Sequence, residues 1–321
     1  MTQTDAAGGG PRVWEPTGAA GAARLCAVIG APIAHSLSPV LHRAAYEALG
    51  LTDWSYGLAE VTPEQLPEVL TAMASAVTPG SGTPVGLSVT MPHKQAVIPL
   101  LDAVDPLAAV TGAVNTVVAQ RSGRGAALLT GFNTDVAGIS QAIQETAPVL
   151  APGAGAVVLG AGATACSALA ALTELGASSI TVAARRLAGP GRVLSAAHRM
   201  GLEVGTLSWQ PGEEASDLVV AEALRGAELV VSTLPAGAAE TVAAQLAGGR
   251  GLRPGAVLLD VVYAPWPTAL TAAWQVHGGT CVPGWLMLLH QAAAQVHLMT
   301  GREAPVDAMR SALMRALAER P

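Results

Sequence analysis

The chain has 321 residues, is 51% hydrophobic and only 12% charged, and carries a formal net charge of −6. That length and apolar content suffice for two packed cores, while the acidic balance, with no basic run or aromatic-basic interleaving, speaks against a nucleic-acid partner. Three cysteines far apart (Cys26, Cys166, Cys281) without a CxxC pair, and seven histidines without HxxxH or HExxH spacing, argue against a disulfide framework and a metal site and fit a reducing cytoplasm.

Residues 1–24 are Gly/Ala-rich and have no basic segment followed by an apolar one, so a disordered tail is expected there and not a signal peptide. The sequence RLCAVIG predicts a buried strand ending at Gly30. SPVLHRAAYEALGL predicts a helix with Ser38 as N-cap, Pro39 at the first helical position and Gly50 past the end. WSYGLAEV predicts a second strand, with a helix from Pro63; VGLSVTMP predicts a third, with a helix after Pro92. AVNTVVAQ and GAALLTGF read as a strand pair joined by the RSGRG turn, and TDVAGISQAIQETA as a helix opening on Thr134 and Asp135. This alternation predicts a mostly parallel sheet with helices on its faces.

A second α/β unit begins near Ala154. GAVVLGAGATACSALAALTELGASSITVAARR reads as strand, glycine turn, helix, strand; its glycines break the apolar run and make a membrane span a poor reading. The segments AELVVSTLPAG, GAVLLDVVYAP and GGTCVPG each read as a short strand ending in a turn. WLMLLHQAAAQVHLMTG and PVDAMRSALMRALAER close the chain as two amphipathic helices.

Gly160, Ala161, Gly162, Ala163, Thr164 and Ala165 directly follow a strand and open a helix, the setting a dinucleotide site requires. Gly160 allows the tight turn, Gly162 lets a pyrophosphate approach the backbone, and Ala165 stands at the helix–strand contact where the fingerprint accepts alanine. The helix N-terminus then offers free N–H groups and positive dipole to the phosphates. At the end of the next strand an acidic residue would bind a ribose hydroxyl; here stand Ala184, Arg185 and Arg186, and two guanidinium groups suit the 2′-phosphate of NADP.

Residue usage marks a second cluster. Lys94 is the only lysine, and Asn115 and Asn133 are the only asparagines. With Ser36, Ser38, Thr90, Thr134 and Asp135 they lie mostly at or just after predicted strand ends, the edge where open α/β sheets bind ligands. Spaced hydroxyls, amides and a Lys/Asp pair suit a small polyhydroxylated acid, although Ser38 and Asp135 also read as helix caps.

The blocks GAPIAHSLSPVLH, VTMPHK, GAVNT, NTDVAG, GAGATA, DVVYAPWPT and GWLMLLHQAA, in this order from about Leu25 onward, resemble the shikimate dehydrogenase family. The resemblance implies an N-terminal substrate domain with a mostly parallel sheet (25–138 and 288–321) and a Rossmann-like NADP domain (139–287). It implies Lys94 and Asp135 as the catalytic pair, Ser36 and Ser38 as ligands of the substrate carboxylate, Thr90, Asn115 and Gln291 as further substrate ligands, and Tyr263 as a substrate neighbour. Arg185 matches a 2′-phosphate ligand, Met287 lies in the block bordering the nicotinamide, and Thr233 and Gly284 lie in the matching cofactor blocks. The implied reaction is reversible NADPH-dependent reduction of 3-dehydroshikimate to shikimate in the cytoplasm, by a monomer or homodimer without a membrane partner, in a cleft that closes over both ligands. A quinate or related polyol-acid dehydrogenase, or a non-catalytic NADP sensor, is the alternative. The chain departs from the family pattern where NVT becomes Ser88-Val89-Thr90, where NRT becomes Ala184-Arg185-Arg186, where NATSxG becomes STLPAG with Ser232 and Pro235, and where DG becomes Pro283-Gly284.

Overall fold

The computed structural model describes residues 23–78, 81–147 and 153–320. Residues 1–22 of the expected tail lie outside these, and Arg24 already belongs to the first strand. In chain order the first half consists of β1 (Arg24–Gly30), α1 (Ser38–Ala48), β2 (Trp54–Glu60), α2 (Leu66–Ala74), β3 (Thr83–Val89), α3 (His93–Ala96), β4 (Ala103–Val104), α4 (Pro106–Thr111), β5 (Thr116–Arg121), β6 (Ala127–Phe132) and α5 (Asp135–Thr146). The second half consists of β7 (Gly155–Leu159), α6 (Ala163–Glu174), β8 (Ser179–Ala184), α7 (Val193–Met200), β9 (Gly205–Ser208), α8 (Glu214–Gly226), β10 (Leu229–Ser232), α9 (Glu240–Gly248), β11 (Val257–Asp260), α10 (Ala269–Val276), β12 (Thr280–Pro283), α11 (Gly284–Thr300) and α12 (Val306–Ala318).

These elements form two compact units. The first takes the described residues up to Asp105, Val114–Phe132, and Gln295 onward; the second takes Pro106–Ala113 and the described residues of Asn133–Ala294. The first unit is built on a six-stranded sheet of order β2-β1-β3-β5-β6-β4. Strand β1 is parallel to β2 and β3, β4 is parallel to β6, and β5 alone runs against its neighbours β3 and β6. The predicted strand pair is therefore a true hairpin, in register from Arg121↔Ala127 to Thr116↔Phe132. Ile29, Leu41, Leu87 and Val117 are fully buried in this unit, each contributing about 1.5–3 kcal/mol by leaving water.

Two helix starts differ from the sequence reading. Helix α1 has Leu37, not Ser38, at its N-cap, since the Leu37 carbonyl accepts the first helical bonds from the N–H groups of Val40 and Leu41 (3.1 and 3.2 Å). Ser38 is the first helical residue, and its own N–H donates to Ser36 Oγ at 3.3 Å. Helix α2 begins at Leu66 instead of Pro63, because Pro67 cannot donate to the Pro63 carbonyl; residues 62–65 form a separate turn, closed by the Gln65 N–H on the Thr62 carbonyl (3.1 Å).

The second unit carries a wholly parallel sheet of order β12-β11-β10-β7-β8-β9. Strands buried on both faces read as continuous apolar runs, as in GAVVL and LVVS. On one face Ile139 of α5, Leu169 of α6 and Val193 of α7 form a core; on the other Leu224 of α8, Leu246 of α9 and Trp274 of α10 do so. Strand order reverses between β7 and β10, the switch point at which doubly wound sheets bind nucleotides. No helix among the described residues is long and apolar enough to cross a membrane.

Candidate active site

In the first unit the candidate residues gather around the C-terminal ends of β1 and β3 and the start of β5. Thr90 follows β3, and its N–H donates to the Ile29 carbonyl of β1 at 3.0 Å. The chain then turns into the short helix α3, which is pinned on both sides of Lys94. The buried His93 ring donates from Nε2 to the Val61 carbonyl at 2.7 Å, and the Val114 N–H donates to the Lys94 carbonyl at 2.7 Å. That second bond sets Lys94 beside the segment carrying Asn115, whose carbonyl in turn accepts from Val89 N–H at 2.7 Å. Ser36 lies on the β1–α1 connection, which the Arg320 side chain ties down through the His35 carbonyl (2.8 Å), and Ser38 opens α1.

Beneath these residues runs a buried polar chain absent from the sequence reading. The Tyr56 hydroxyl donates to Ser88 Oγ (2.6 Å), and Ser88 Oγ donates to Gln295 Oε1 (2.7 Å). Gln295 Nε2 donates to the Asn115 carbonyl (3.1 Å) and to Thr116 Oγ1 (2.9 Å), and Thr116 Oγ1 donates to Asn115 Oδ1 (2.8 Å). His42 stacks on Tyr56 with ring centroids 3.9 Å apart and places Nε2 3.2 Å from Gln295 Oε1. Burial lowers the His42 pKa to about 3, partly opposed by its Gln295 bond, so the ring is neutral at physiological pH.

In the second unit Asp135 is buried at the first position of α5, where its N–H donates to Asn133 Oδ1 at 3.1 Å. Asn133 serves the fold: its Nδ2 donates to Thr111 Oγ1 and Ser167 Oγ, both at 2.9 Å, bracketing α4, α5 and α6. Gln291 lies on α11 against α5, and Gly138 makes the approach possible. A Cβ at position 138 would stand 2.9 Å from both the Met287 carbonyl oxygen and Gln291 Cβ. Gly138→Ala is expected to lower stability by about 1–3 kcal/mol, although alanine favours an isolated helix by about 1 kcal/mol. Thermal denaturation checks this, and an unchanged or raised Tm would show that α5 and α11 can separate freely.

The glycine turn occupies the β7–β10 switch point. Gly160 has φ +108°, and a Cβ there would come within 2.4 Å of Thr233 Oγ1, which donates to the Leu159 carbonyl at 2.8 Å. A Cβ on Gly162, by contrast, meets no atom within 4 Å, leaving room above the backbone at the N-terminus of α6. Ala165 is fully buried in the core beside the sheet. Arg185 and Arg186 are both exposed just past the end of β8. Met287 is buried, Gly284 opens α11 against the Asp260–Val261 backbone, and Tyr263 is half-buried in the loop after β11. The room above Gly162, the unpaired amides of the α6 N-terminus and the exposed arginines together fit a phosphorylated dinucleotide. Among the described residues no group of three His, Cys, Asp or Glu side chains is placed to hold a metal ion, and the three cysteines are free.

A doubly wound sheet with a glycine turn at its switch point, in one chain with a second α/β unit that collects serines, a threonine, an asparagine and a lysine, defines the class of two-unit α/β proteins to which nucleotide-dependent dehydrogenases belong. Residues 28–117 match the shikimate dehydrogenase substrate binding domain, and residues 284–314 match the shikimate 5′-dehydrogenase C-terminal domain. The shikimate dehydrogenase (NADP(+)) of Geobacter sp. (strain M21) is 39% identical over 298 residues, covering 93% of this chain and 97% of that protein. The crystal structure of Mycobacterium tuberculosis shikimate dehydrogenase superposes with a TM-score of 0.74 at 39% identity, covering 91% of this chain and 99% of that one. The Thermus thermophilus enzyme in complex with NADP(H) and shikimate gives 0.71 at 32% identity, covering 91% and 99%. The chain belongs to the shikimate dehydrogenase family.

Proposed function

We propose that this chain catalyses the reversible NADPH-dependent reduction of 3-dehydroshikimate to shikimate, in the cytoplasm and as a monomer or homodimer. Substrate ligands come chiefly from residues 25–138 and 288–321, and cofactor ligands from residues 139–287. The observation that carries the reading is the coincidence in one chain of the pinned Lys94 beside Asn115 with a glycine turn open above Gly162. Full-length similarity to NADP(+)-dependent shikimate dehydrogenases supports the choice of substrate and cofactor.

Ser36 and Ser38 hold the substrate carboxylate, and Thr90, Asn115 and Gln291 take its hydroxyls and carboxylate, with Tyr263 alongside. The backbone of residues 160–165 receives the pyrophosphate, Arg185 and Arg186 the 2′-phosphate, and Thr233, Gly284 and Met287 border the nicotinamide end. When bound, NADPH supplies the hydride. Lys94 stabilises the negative charge that grows on the carbonyl oxygen and delivers the proton to it. Asp135 orients the Lys94 ammonium and accepts from a neighbouring substrate hydroxyl. Placement and electrostatics are the protein's share of the catalysis.

Following NADPH absorbance after mixing the protein with shikimate and NADP⁺, with quinate and NAD⁺ as controls, tests the whole reading. Turnover with shikimate and NADP⁺ is expected, and its absence there with turnover of quinate would reassign the substrate. The double variant Arg185→Ala, Arg186→Ala is expected to raise the KM for NADP⁺ by about tenfold or more, given the strength of charge-assisted hydrogen bonds. The KM for NAD⁺, which lacks the phosphate, should stay within a factor of about two; a parallel rise for both cofactors would remove the arginines from 2′-phosphate recognition.

A further inference from the structure

We propose that Asn133 is a positioning residue: through Ser167 it ties the start of α5 to α6, so that Asp135 is held in a fixed place relative to the helix whose N-terminus receives the cofactor phosphates. This rests on the readings of Asp135 and of the glycine turn given above. Every residue of the tie belongs to the second unit.

The orientation of the Asn133 amide follows from one group that can only donate. The Asp135 N–H is the first of α5, one of those a helix leaves for acceptors outside its own ladder. It lies 3.1 Å from the Asn133 amide, so the atom facing it is Oδ1. The two Nδ2 hydrogens then go to Thr111 Oγ1 and Ser167 Oγ, both at 2.9 Å. Thr111 can accept because its own proton goes to the Leu107 carbonyl at 2.8 Å. The Ser167 proton is shared by the Ala163 carbonyl (3.3 Å) and Asn133 Oδ1 (3.4 Å). Ala163 is the first residue of α6. One chain of hydrogen bonds thus runs from the first turn of α6, through Ser167 and Asn133, to the backbone of Asp135. Ser167 and Thr111 are fully buried and Asn133 is 5% exposed, so an unmade bond in this chain is costly.

Seven residues further along each helix a second bond joins the pair, from Ser140 Oγ to Glu174 Oε2 at 3.0 Å. The equal intervals place α5 and α6 side by side in the same direction, with Ile139 and Leu169 in their common core. The Ser140 bond holds the two helices together, whereas the Asn133 bond acts on the first residue of α5. Losing the Asn133 amide therefore releases Asp135 while the helices stay packed. A displacement of about 1 Å can cost about a hundredfold in rate, so a local release is enough to be seen.

The test is steady-state kinetics of the full chain with shikimate and NADP⁺. Asn133→Leu keeps the shape and removes the amide; it is expected to lower kcat by about thirtyfold. Ser167→Ala leaves the Asn133–Asp135 bond in place and cuts the tie to α6; it is expected to lower kcat by about fivefold. The NADP⁺ KM should stay within about threefold in both. Ser140→Ala, which loses a comparable bond away from Asp135, should keep kcat within about twofold. In an Asp135→Asn background, Asn133→Leu and Ser167→Ala should each change kcat by less than about twofold, because the carboxylate they place is gone. If their effects multiply with that of Asp135→Asn, if Ser140→Ala lowers kcat as much as Ser167→Ala does, or if neither tie variant lowers kcat, Asn133 is only a packing residue. The inference then fails while Asp135 keeps its catalytic role. A rise in the NADP⁺ KM in place of a fall in kcat overturns it as well. Should Asp135→Asn alone leave kcat unchanged, the reading of Asp135 and this inference fall together. If Asn133→Leu does not fold, the Ser167→Ala arm decides by the same criteria.

Discussion

Lys94→Arg is expected to leave the chain folded and to lower kcat for shikimate oxidation by roughly three orders of magnitude, within the span of acid–base catalysis. The substitution keeps the positive charge and the backbone bonds that hold α3, the His93 ring on Val61 and the Val114 N–H on the Lys94 carbonyl. Only the chemistry of the head group changes. An ammonium group can give up a proton, whereas a guanidinium, with a pKa above about 12, scarcely does so in a protein. The expected pattern is therefore a collapse in turnover with a much smaller change in shikimate KM, measured by NADPH absorbance, at an unchanged Tm. Near-normal turnover in this variant would remove Lys94 from proton transfer. The composition makes the point independently: a chain that uses arginine at every other basic position retains lysine here.

The second large effect is expected at the glycine turn, where two substitutions separate folding from binding. Gly160→Val faces a φ of +108° and a Cβ position 2.4 Å from Thr233 Oγ1. Thr233 is held in place, because both its N–H (2.9 Å) and its hydroxyl (2.8 Å) donate to the Leu159 carbonyl. Backbone strain and overpacking together should cost about 2–5 kcal/mol of stability, and NADPH binding, followed by cofactor fluorescence, should be lost. Gly162→Ala is the contrasting case. Its φ of −87° suits alanine, and the added methyl meets nothing in the protein. That variant should keep the parental Tm while weakening NADPH binding by about tenfold or more, because the methyl takes the space the pyrophosphate needs. Unimpaired NADPH binding by Gly162→Ala would move the pyrophosphate away from this turn.

Much of the fold is legible in the sequence because local signals agree with one another. The β7–α6 turn combines an apolar run, three spaced small residues and a helix opening, and the β5–β6 hairpin is announced by its glycine-rich turn. Helices α7 to α10 and strand β9 are not resolved by the sequence reading. Their segments are rich in alanine, which occupies core and surface alike, so the contrast between faces that marks an amphipathic helix is faint in EASDLVVAEALRG and ETVAAQLAG. Strand β4 has only two residues, too few for any period. The start of α1 differs by one position because a serine before a proline carries the cap signal whether or not it caps.

Within the site, the residues legible in sequence are those whose chemistry is rare in this chain, above all Lys94 and Asn115. Gln295 gives no such signal. On a helical pattern it is one more polar residue, and its partners lie far off in sequence, His42 being 253 positions away and Thr116 179. What identifies it is burial together with a full set of hydrogen bonds, and neither can be read before the chain is folded. The hydroxyl at Ser88, which looks like a lost amide contact in the sequence, meets an amide after all, that of Gln295.

Helix α11 carries Met287, Gln291 and Gln295 at intervals of four residues, all three buried. Residues so spaced share one side of a helix, and at about 1.5 Å per residue the stripe measures about 12 Å from end to end. The helix thus acts as a ruler, holding these three side chains at fixed spacings along one of its edges. Adding or removing one residue between Met287 and Gln295 would swing part of this edge by about 100°, whereas the same change in the turn after Thr300 would leave it untouched. Length variation in this chain is therefore confined by geometry to places outside that segment.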